Sequence, residues 1–389
     1  MRALVKRLPI GHSQSASNKI PRQINRNLVF NLVRTREGIS RADLARISGL
    51  QRSTITIIVA DLLSDGWIVE GGPGKLPRGR TPTFLQINDQ RAVIALDLHP
   101  DRIVVALADL GGRIIAENII KLQTPPDLAI KTIIDAIRRL KKSHRNKNFV
   151  GIGISLPGRT DLGFQELIFA PNLRFPAQSI KSEIRSAIGL PVYIENAANA
   201  CALGEVWYGH SDGLHDLVVV NVSEGIGTGI YANGQILRGA HGMAGEFGHI
   251  QIDAEGPFCA CGGRGCWELT ASNRAGLQYY KKASKNRAVT TFEKLVELAQ
   301  SGDSLALQAL GEMGRNLGRG MRIIVSSLDP HEIVVVGTIT KVWEQVRSAV
   351  EDEMTRNLVS KCSTVRCAYD GFTARLRSAV ALVLYNRFL

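Results

Sequence analysis

The sequence predicts a mixed α/β protein with a small helical domain, which ends in a β-hairpin, and a larger body of two similar halves. Three observations support this prediction. Three helix patterns and two strand patterns fill residues 21–88. Two runs of three short strands follow, and alternating helices and strands come after each run. Positive charge is concentrated at the start of the chain. Residues 1–91 hold 15 Lys/Arg and 6 Asp/Glu, so they carry a net charge of +9 out of the formal net charge of +13 for the whole sequence.

A basic end on a near-neutral body is typical of a protein that binds a polyanion, although a merely soluble basic tail has the same charge. Residues 1–20 are polar and basic and are predicted to form a flexible arm. No apolar run approaches the ~20 residues of a membrane span, and no secretory signal is recognisable. Three of the six cysteines are clustered, which favours a metal site in a reducing compartment. We therefore expect a cytoplasmic protein with no membrane partner.

The first two helices are predicted from apolar spacing and from one cap. Ile24, Leu28 and Leu32 recur every four residues, and this spacing predicts an amphipathic helix that packs through their stripe. Valines next to the stripe widen it. Ser40 followed by Asp43 has the spacing of a capping box, which predicts the start of a second, short helix. The glycine that follows this helix is predicted to end it.

A third helix is predicted from about Gln51 to Ser64. Its core face follows the i, i+3, i+4, i+7 spacing and consists of Ile55, Ile58, Val59 and Leu62. The rest of the helix surface carries a mixed set that suits DNA, since an outward isoleucine can contact a thymine methyl and the polar groups can reach base edges or phosphates. These candidate DNA-contacting residues are Arg52, Ser53, Thr54, Thr56 and Ile57.

A β-hairpin is predicted after the third helix, with strands at residues 66–70 and 83–87. The connection is basic and rich in glycine and proline, and it contains Arg78 and Arg80. Three helices, a glycine turn and a basic hairpin are typical of a winged helix-turn-helix domain that binds double-stranded operator DNA. Arg80 is the candidate for insertion into the minor groove. A small helical dimerisation module is the alternative.

The body is predicted to begin near Gln90 and to contain two lobes. Lobe 1 covers about residues 89–209 together with a C-terminal helix at 372–389, and lobe 2 covers about residues 210–371. Each lobe begins with three strands and continues with helix–strand alternation. This duplication resembles the actin-like ATPase fold, whose ligands lie in a cleft between two lobes.

One glycine-rich stretch holds a histidine and three of the six cysteines. It consists of the run Gly245–His249 followed by the run Cys259–Glu268. Three thiolates and one imidazole make a closed tetrahedral zinc site, and closed sites are structural. The sequence therefore predicts structural Zn²⁺ in a loop at residues 249–268, and a glycine-rich turn with free thiols is the alternative. The predicted ligands are His249, Cys259, Cys261 and Cys266.

Two carboxylates, Glu246 and Glu268, bracket these ligands in the sequence. If a metal holds the loop compactly, both carboxylates can face one pocket. Ionised oxygens accept hydrogen bonds, so such a pocket suits a ligand rich in hydroxyl groups. The alternative is that both are solvated surface acids.

These residues resemble the signature of the ROK family (repressors, open reading frames and kinases), which is Gly-Glu-x-Gly-His followed by Cys-x-Cys-Gly-x-x-Gly-Cys-x-Glu. Every position of the signature is filled, and the resemblance covers about residues 90–389. It implies zinc on the four ligands named above. In this family a DNA-binding domain distinguishes the regulators from free-standing kinases, and the run Gly79–Pro82 resembles their wing motif. The resemblance also implies a sugar pocket formed by Asn196, Glu246, His249 and Glu268.

The chain departs from the family's kinases at the residues that would transfer phosphate. In the kinases, an Asp-x-Gly-Gly-Thr turn binds phosphate through backbone N–H groups. The corresponding run here, Asp97–Asp101, has no glycine. Its Leu98–Pro100 segment also includes a proline, which has no backbone N–H to donate. Ala197 occupies the position of the kinases' general base, and a methyl group accepts no proton. The glycine-rich turn Gly225–Gly229 is kept. We therefore expect a kinase-like body with no catalytic residue, which binds sugar without phosphorylating it.

The resulting hypothesis is a sugar-responsive repressor of carbohydrate uptake or catabolism genes. It would act as a homodimer or homotetramer and respond to a small sugar or sugar phosphate. One alternative is an ATP-dependent sugar kinase with a DNA-binding extension. Another is a constitutive DNA-binding protein whose body serves only for dimerisation.

Overall fold

The structure is a computed structural model. It describes residues 19–36, 38–73, 83–100, 102–121, 128–161, 167–170, 173, 179–209, 216–284, 288–358, 363–368, 371 and 373–388. The chain forms two compact units, of which unit 1 comprises residues 1–89 with 386–389 and unit 2 comprises residues 90–385. No helix in the described ranges is both long and apolar enough to cross a membrane.

Unit 1 contains three helices and a three-stranded antiparallel sheet. The capping box of Ser40 and Asp43 is present at the start of the second helix, and Gly49 ends that helix in the left-handed conformation, with φ 70°. A short strand between the first two helices pairs with the last strand of the unit. Sequence patterns did not predict this short strand. The sheet order is β1-β3-β2. The elements are α1 (Lys19–Thr35), β1 (Ile39–Ser40), α2 (Arg41–Ser48), α3 (Arg52–Ser64), β2 (Ile68–Pro73) and β3 (Thr83–Ile87).

The four apolar residues predicted for the core face of α3 are all buried. The helix predicted at α1 is present, and Val29 and Val33, which widened its predicted stripe, are buried together with Phe30. The centre of the predicted stripe is not, because Ile24 and Leu28 are 59% and 39% exposed. Apolar residues occupy two overlapping stripes on α1, and spacing alone did not indicate which stripe faces the core.

The end of the chain completes the core of unit 1. Phe388, the last residue of the C-terminal helix, is fully buried. Its ring stacks on Phe30 with centroids 4.1 Å apart and meets the ring of Trp67 edge-on at 4.8 Å. The side chain of Gln23 donates a hydrogen bond to the Phe388 carbonyl. A residue from the opposite end of the sequence therefore supplies a third ring to the aromatic core of unit 1.

The first half of unit 2 is a five-stranded sheet with helices and a small two-stranded sheet. Its strand order is β10-β7-β4-β5-β6, in which β4, β5 and β6 are antiparallel and β7 and β10 are parallel to β4. Helices α4 and α5 pack on this sheet through aliphatic residues. The elements are β4 (Arg91–Leu98), β5 (Arg102–Asp109), β6 (Ile114–Lys121), α4 (Ala129–Ser143), β7 (Asn148–Leu156), β8 (Arg159–Thr160), β9 (Leu167–Phe169), α5 (Ile180–Ile188), β10 (Val192–Asn196) and α6 (Ala197–Tyr208).

The second half repeats this topology. Its sheet has the order β13-β12-β11-β14-β15, again with a three-strand meander followed by two parallel strands. The duplication and the α/β class predicted from the sequence are therefore confirmed. The elements are β11 (Leu217–Val222), β12 (Ile226–Ala232), β13 (Gln235–Ile236), α7 (Glu268–Ala271), α8 (Asn273–Ser284), α9 (Phe292–Gln300), α10 (Ser304–Leu328), β14 (Glu332–Val336), α11 (Trp343–Thr355) and β15 (Thr364–Cys367). The last helix, α12 (Ala374–Phe388), follows β15 in the chain, but its Ala379 packs against Gly153 of β7 in the first half.

The carboxyl ends of three parallel strands carry a row of buried polar side chains. Asp97 on β4 is aligned with Ser155 on β7, and Ser155 is aligned with Glu195 on β10. Aligned residues of parallel strands project from the same face of a sheet. Asp97, Ser155 and Glu195 are 5%, 0% and 2% exposed. This row brings two carboxylates to one edge of the first sheet.

Candidate functional site

The predicted zinc ligands lie together. One ligand atom from each of His249, Cys259, Cys261 and Cys266 lies within 4.8 Å of the other three. Cys259 Sγ is 3.7 Å from His249 Nδ1, and Cys261 Sγ is 3.6 Å from Cys266 Sγ. Tetrahedral zinc bonds of ~2.3 Å to sulfur and ~2.0 Å to nitrogen place two sulfurs ~3.8 Å apart and a sulfur and a nitrogen ~3.5 Å apart. The four donors can therefore hold a tetrahedral metal ion.

Backbone hydrogen bonds fold the loop around these donors. The Cys259 N–H donates to the Gly263 carbonyl at 2.8 Å, and the Gly263 N–H donates to Cys261 Sγ at 3.4 Å. An antiparallel bridge joins Gln251 to Cys266. Main-chain contacts thus hold the backbone of the loop that carries the three cysteines.

The thiol pKa values fit a metal site. Burial raises the pKa of Cys259 to about 12, and burial also raises the pKa of Cys266. The N–H of Gly263 lowers the pKa of Cys261. Without a counter-charge, the thiols of Cys259 and Cys266 would stay protonated at neutral pH. A bound cation supplies that counter-charge, because a coordinating thiol is deprotonated.

Two carboxylates flank the histidine of this cluster. Glu268 Oε1 lies 3.8 Å from His249 Nδ1 and 3.2 Å from Cys259 Sγ. Glu246 Oε2 lies 3.8 Å from the other ring nitrogen, Nε2. The Glu246 side chain is half exposed, whereas that of Glu268 is 13% exposed. One edge of the imidazole can therefore face a metal while the other edge, with Glu246, faces a ligand.

Asn196, the fourth predicted sugar residue, caps helix α6. Its Oδ1 accepts hydrogen bonds from the N–H groups of Ala198 and Asn199, and its Nδ2 donates to the Gly158 carbonyl at 2.8 Å. One amide hydrogen of Asn196 has no partner among the described residues. Within those residues, no hydrogen bond joins Asn196 to Glu246, His249 or Glu268. Ala197 begins α6 and is 5% exposed.

The glycine-rich turn has a steric role in this site. A Cβ atom at Gly225 would overlap a carboxylate oxygen of Glu268. A Cβ atom at Gly229 would overlap the carbonyl oxygen of Ala198, which lies in the first turn of α6. Packing against the backbone therefore requires glycine at 229, whereas a side chain at 225 would displace the carboxylate of Glu268.

Asp97 is enclosed by an arginine and a histidine that sequence reasoning missed. Arg375 Nη2 lies 2.6 Å from Asp97 Oδ1, and His99 Nε2 lies 2.9 Å from Asp97 Oδ2. Arg375 also donates to the Leu98 carbonyl at 3.0 Å. Burial raises the pKa of Asp97, but Arg375 and His99 outweigh burial and hold the pKa below its ordinary value. Nothing in the sequence indicated this partner, because Arg375 lies in the C-terminal helix, far along the chain.

The predicted DNA-contacting residues of α3 are accessible. Arg52, Ser53 and Thr56 are exposed, Thr54 is half-buried, and the Ile57 side chain is 56% exposed.

Several arginines of unit 1 are neutralised within the unit. Arg22 pairs with Asp61, Arg26 pairs with Asp65, and Arg41 pairs with Glu70. Arg52 forms no ion pair within the part of the chain that the structure describes. Its guanidinium charge therefore stays available at the start of α3. The predicted wing residues Arg78 and Arg80 lie outside the described residues.

Comparisons with known proteins agree with this architecture. The sequence profile of the ROK family matches residues 93–384. The xylose repressor of Bacillus spizizenii is 32% identical over 344 residues, which cover 87% of this chain and 88% of that protein. The DNA-binding transcriptional dual regulator NagC of Escherichia coli K12 is 27% identical over 355 residues, which cover 88% of this chain and 87% of that protein.

Solved structures give the same result. A ROK family transcriptional regulator, described as a homolog of the E. coli MLC protein, matches with a TM-score of 0.77 and 27% identity over 94% of this chain and 97% of its own. A ROK family glucokinase from Streptomyces griseus in complex with glucose and AMPPNP matches with a TM-score of 0.66 and 29% identity over 75% of this chain and 98% of its own. The resemblance found in the sequence is confirmed, and the chain belongs to the ROK family.

Proposed function

We propose that this protein is a sugar-responsive transcriptional repressor. The observation that carries the proposal is the accessible surface of α3 in a winged helix-turn-helix unit, where Arg52 and Ile57 are both exposed and Arg52 forms no ion pair among the described residues. An exposed isoleucine and a guanidinium on one helix suit a DNA groove, which offers thymine methyl groups and phosphates. Repressors among the relatives match through most of their length, which supports the same function.

The effector of the proposed repressor is a small sugar or sugar phosphate bound by Glu246, His249, Glu268 and Asn196. Carboxylate oxygens, an imidazole edge and an amide hydrogen are suitable partners for a set of hydroxyl groups. Two relatives are named xylose repressors, so D-xylose is the first sugar to test.

The metal of the Cys₃His cluster is proposed to be zinc. Three sulfur ligands and one nitrogen ligand suit zinc, and a site with no open position is structural. Bound zinc would fix the loop that carries His249 and begins the helix with Glu268. The metal would therefore hold two of the proposed sugar ligands in place.

The kinase-like body is proposed to have lost phosphoryl transfer. Ala197 gives a sugar hydroxyl no proton acceptor. The carboxylate of Asp97 is paired with Arg375 and lies 2.9 Å from His99 Nε2, so it is not free to hold a metal–nucleotide complex. The similarity to the glucokinase in complex with AMPPNP favours the alternative of an ATP-dependent sugar kinase. Incubation with magnesium, ATP and a sugar panel tests that alternative, because sugar phosphate formed by this protein and lost in Glu246→Gln would establish it.

The repressor is proposed to act in the cytoplasm as a homodimer or homotetramer on a two-fold operator. Two recognition helices of a dimer read half-sites ~34 Å apart. Sugar binding would change the equilibrium between arrangements of the subunits. A coupling of ~1–3 kcal/mol would change operator affinity ~5–150-fold.

A gel-shift experiment tests the proposal with DNA from the region upstream of the protein's own gene. The protein is expected to retard this DNA at low salt and to release it when D-xylose or another sugar of the panel is added. Scrambled DNA of equal length serves as the control. If no sugar of the panel changes the retardation of any DNA fragment, the proposal of a sugar-responsive repressor is contradicted.

A further inference from the structure

The most heavily bonded carboxylate of the first sheet belongs to Glu195, at the carboxyl end of β10. Its side chain is 3% exposed. Oε1 accepts a hydrogen bond from the Asn196 N–H at 2.9 Å and lies within 3.4 Å of donors on Thr160 and Asn199. Oε2 lies 2.6 Å from Arg238 Nη2. Glu195 thus connects β8, β10 and α6 to an arginine from another part of the unit.

Arg238 belongs to the other half of unit 2. It follows β13, and its carbonyl accepts a hydrogen bond from the Ala244 N–H at 3.0 Å. This bond closes a loop that leads directly into the 3-10 helix Glu246–His249. The Arg238 side chain is 25% exposed. One ion pair therefore joins the strand that ends in Asn196 to the loop that precedes Glu246.

Further contacts along this junction support the same connection. Gly229 of β12 packs directly against the Ala198 carbonyl in the first turn of α6. The neighbouring Thr228 hydroxyl donates to the carbonyl of Gly245, which is the residue before Glu246. The two halves thus meet through packing at β12 and through charge at Arg238. The ion pair is the contact that reaches the strand ending in Asn196.

We infer that Arg238 is a positioning residue of the effector site. By binding Glu195 it fixes the distance between the sugar ligand of the first half, Asn196, and the sugar ligands of the second half, which begin with Glu246. A buried carboxylate that loses its cationic partner takes up water or a proton, and either change separates the elements that it joined. The inference rests on the proposed sugar-binding function and adds a residue outside the family signature.

A second ion pair of similar burial provides a matched control. Arg366 on β15 lies 2.7 Å from Glu332 on β14 and 2.6 Å from Glu205 on α6. Its side chain is 27% exposed, close to the value for Arg238. This pair also connects the two halves, but Glu205 lies nine residues after Asn196, ~13 Å further along α6. Loss of this pair should therefore lower stability and change the distance between the sugar ligands less than loss of the Arg238 pair does.

The test compares Arg238→Met with Arg366→Met in the full-length, zinc-loaded protein. The probes are D-xylose, D-glucose and N-acetylglucosamine, titrated by calorimetry. We expect Arg238→Met to raise the sugar Kd at least tenfold, and Arg366→Met to lower the Tm while it changes the sugar Kd less than threefold. Operator Kd without sugar and zinc content should equal those of the wild type in both variants. Arg238→Lys keeps the charge, so its sugar Kd should return most of the way to the wild-type value.

If Arg238→Met does not fold, Glu195→Gln removes the same ion pair and keeps the hydrogen-bond acceptor of the side chain. It should raise the sugar Kd to a similar extent. A wild-type sugar Kd in Arg238→Met or in Glu195→Gln would overturn the inference, as would an equal loss of sugar affinity in Arg366→Met. A wild-type protein that binds none of the three sugars would instead refute the proposed function, and the role of Arg238 with it.

Discussion

Replacing Phe388 by alanine should destabilise unit 1, although the residue is the last but one of the chain. The ring is fully buried and contacts two other aromatic rings, Phe30 and Trp67. Truncation of a buried phenylalanine to alanine costs ~3–5 kcal/mol, which includes the cavity that is left. That loss is about a fifth or more of the ~5–15 kcal/mol that stabilises a typical domain. The destabilisation should be greatest in the core around Phe30 of α1 and Trp67, which directly precedes β2.

Amide hydrogen exchange measures this loss within unit 1. Each ~1.4 kcal/mol is a factor of ten in an equilibrium constant, so the slowest-exchanging amides of α1 and α3 should lose ~10²–10³-fold of their protection. Phe258→Ala is the matched control, because that phenylalanine is 82% exposed and its removal should change protection little. If the amides of α1 and α3 in Phe388→Ala keep a protection within threefold of the wild type, the assignment of Phe388 to this core is refuted.

Three further variants test other parts of the structure. Cys261→Ser should reduce bound zinc well below one per chain by metal analysis and weaken the response to sugar, because one of four ligands loses its thiolate. Arg52→Ala should weaken operator binding by ~1–3 kcal/mol if the side chain contacts a base edge, or lower the salt slope by ~1 if it contacts a phosphate, and an unchanged affinity and slope would exclude both contacts. Arg375→Gln leaves Asp97 without its main cation, so burial should raise the pKa of that carboxyl above its ordinary 3.8. In the wild type the lowered pKa of Asp97 stabilises the fold above about pH 4, and this stabilisation is lost as the pH falls through the lowered value. The Tm deficit of Arg375→Gln should therefore be largest at neutral pH and shrink toward pH 4, and a deficit independent of pH would contradict the ion pair.

Local sequence patterns predicted most of the fold because each element carries its own signal. The core face of α3 follows the helical repeat, and the Ser40–Asp43 box marks the start of α2. Strands β4 and β11 are continuous apolar runs, as expected for strands buried on both faces. The cluster of His249, Cys259, Cys261 and Cys266 was predictable because these four donors lie within a short stretch of sequence.

Features that depend on distant segments were not predictable in this way. The buried face of α1 is occupied partly by Phe388, which no local repeat could indicate. The same applies to Arg375 beside Asp97 and to Arg238 beside Glu195, since each pair joins separate elements. Sequence spacing identified Glu246, Glu268 and the glycine-rich turn. Only the folded chain shows which arginines pair with the buried carboxylates and which atoms lie against the glycines.

Operator affinity measured with and without sugar tests the central claim most directly. A labelled DNA fragment from the region upstream of the gene is titrated with zinc-loaded protein at fixed salt, first alone and then with a sugar that calorimetry has shown to bind. Coupling of ~1–3 kcal/mol predicts an operator Kd ~5–150-fold higher with sugar than without it. An operator Kd that the bound sugar leaves unchanged would contradict the account of this protein as a sugar-responsive repressor.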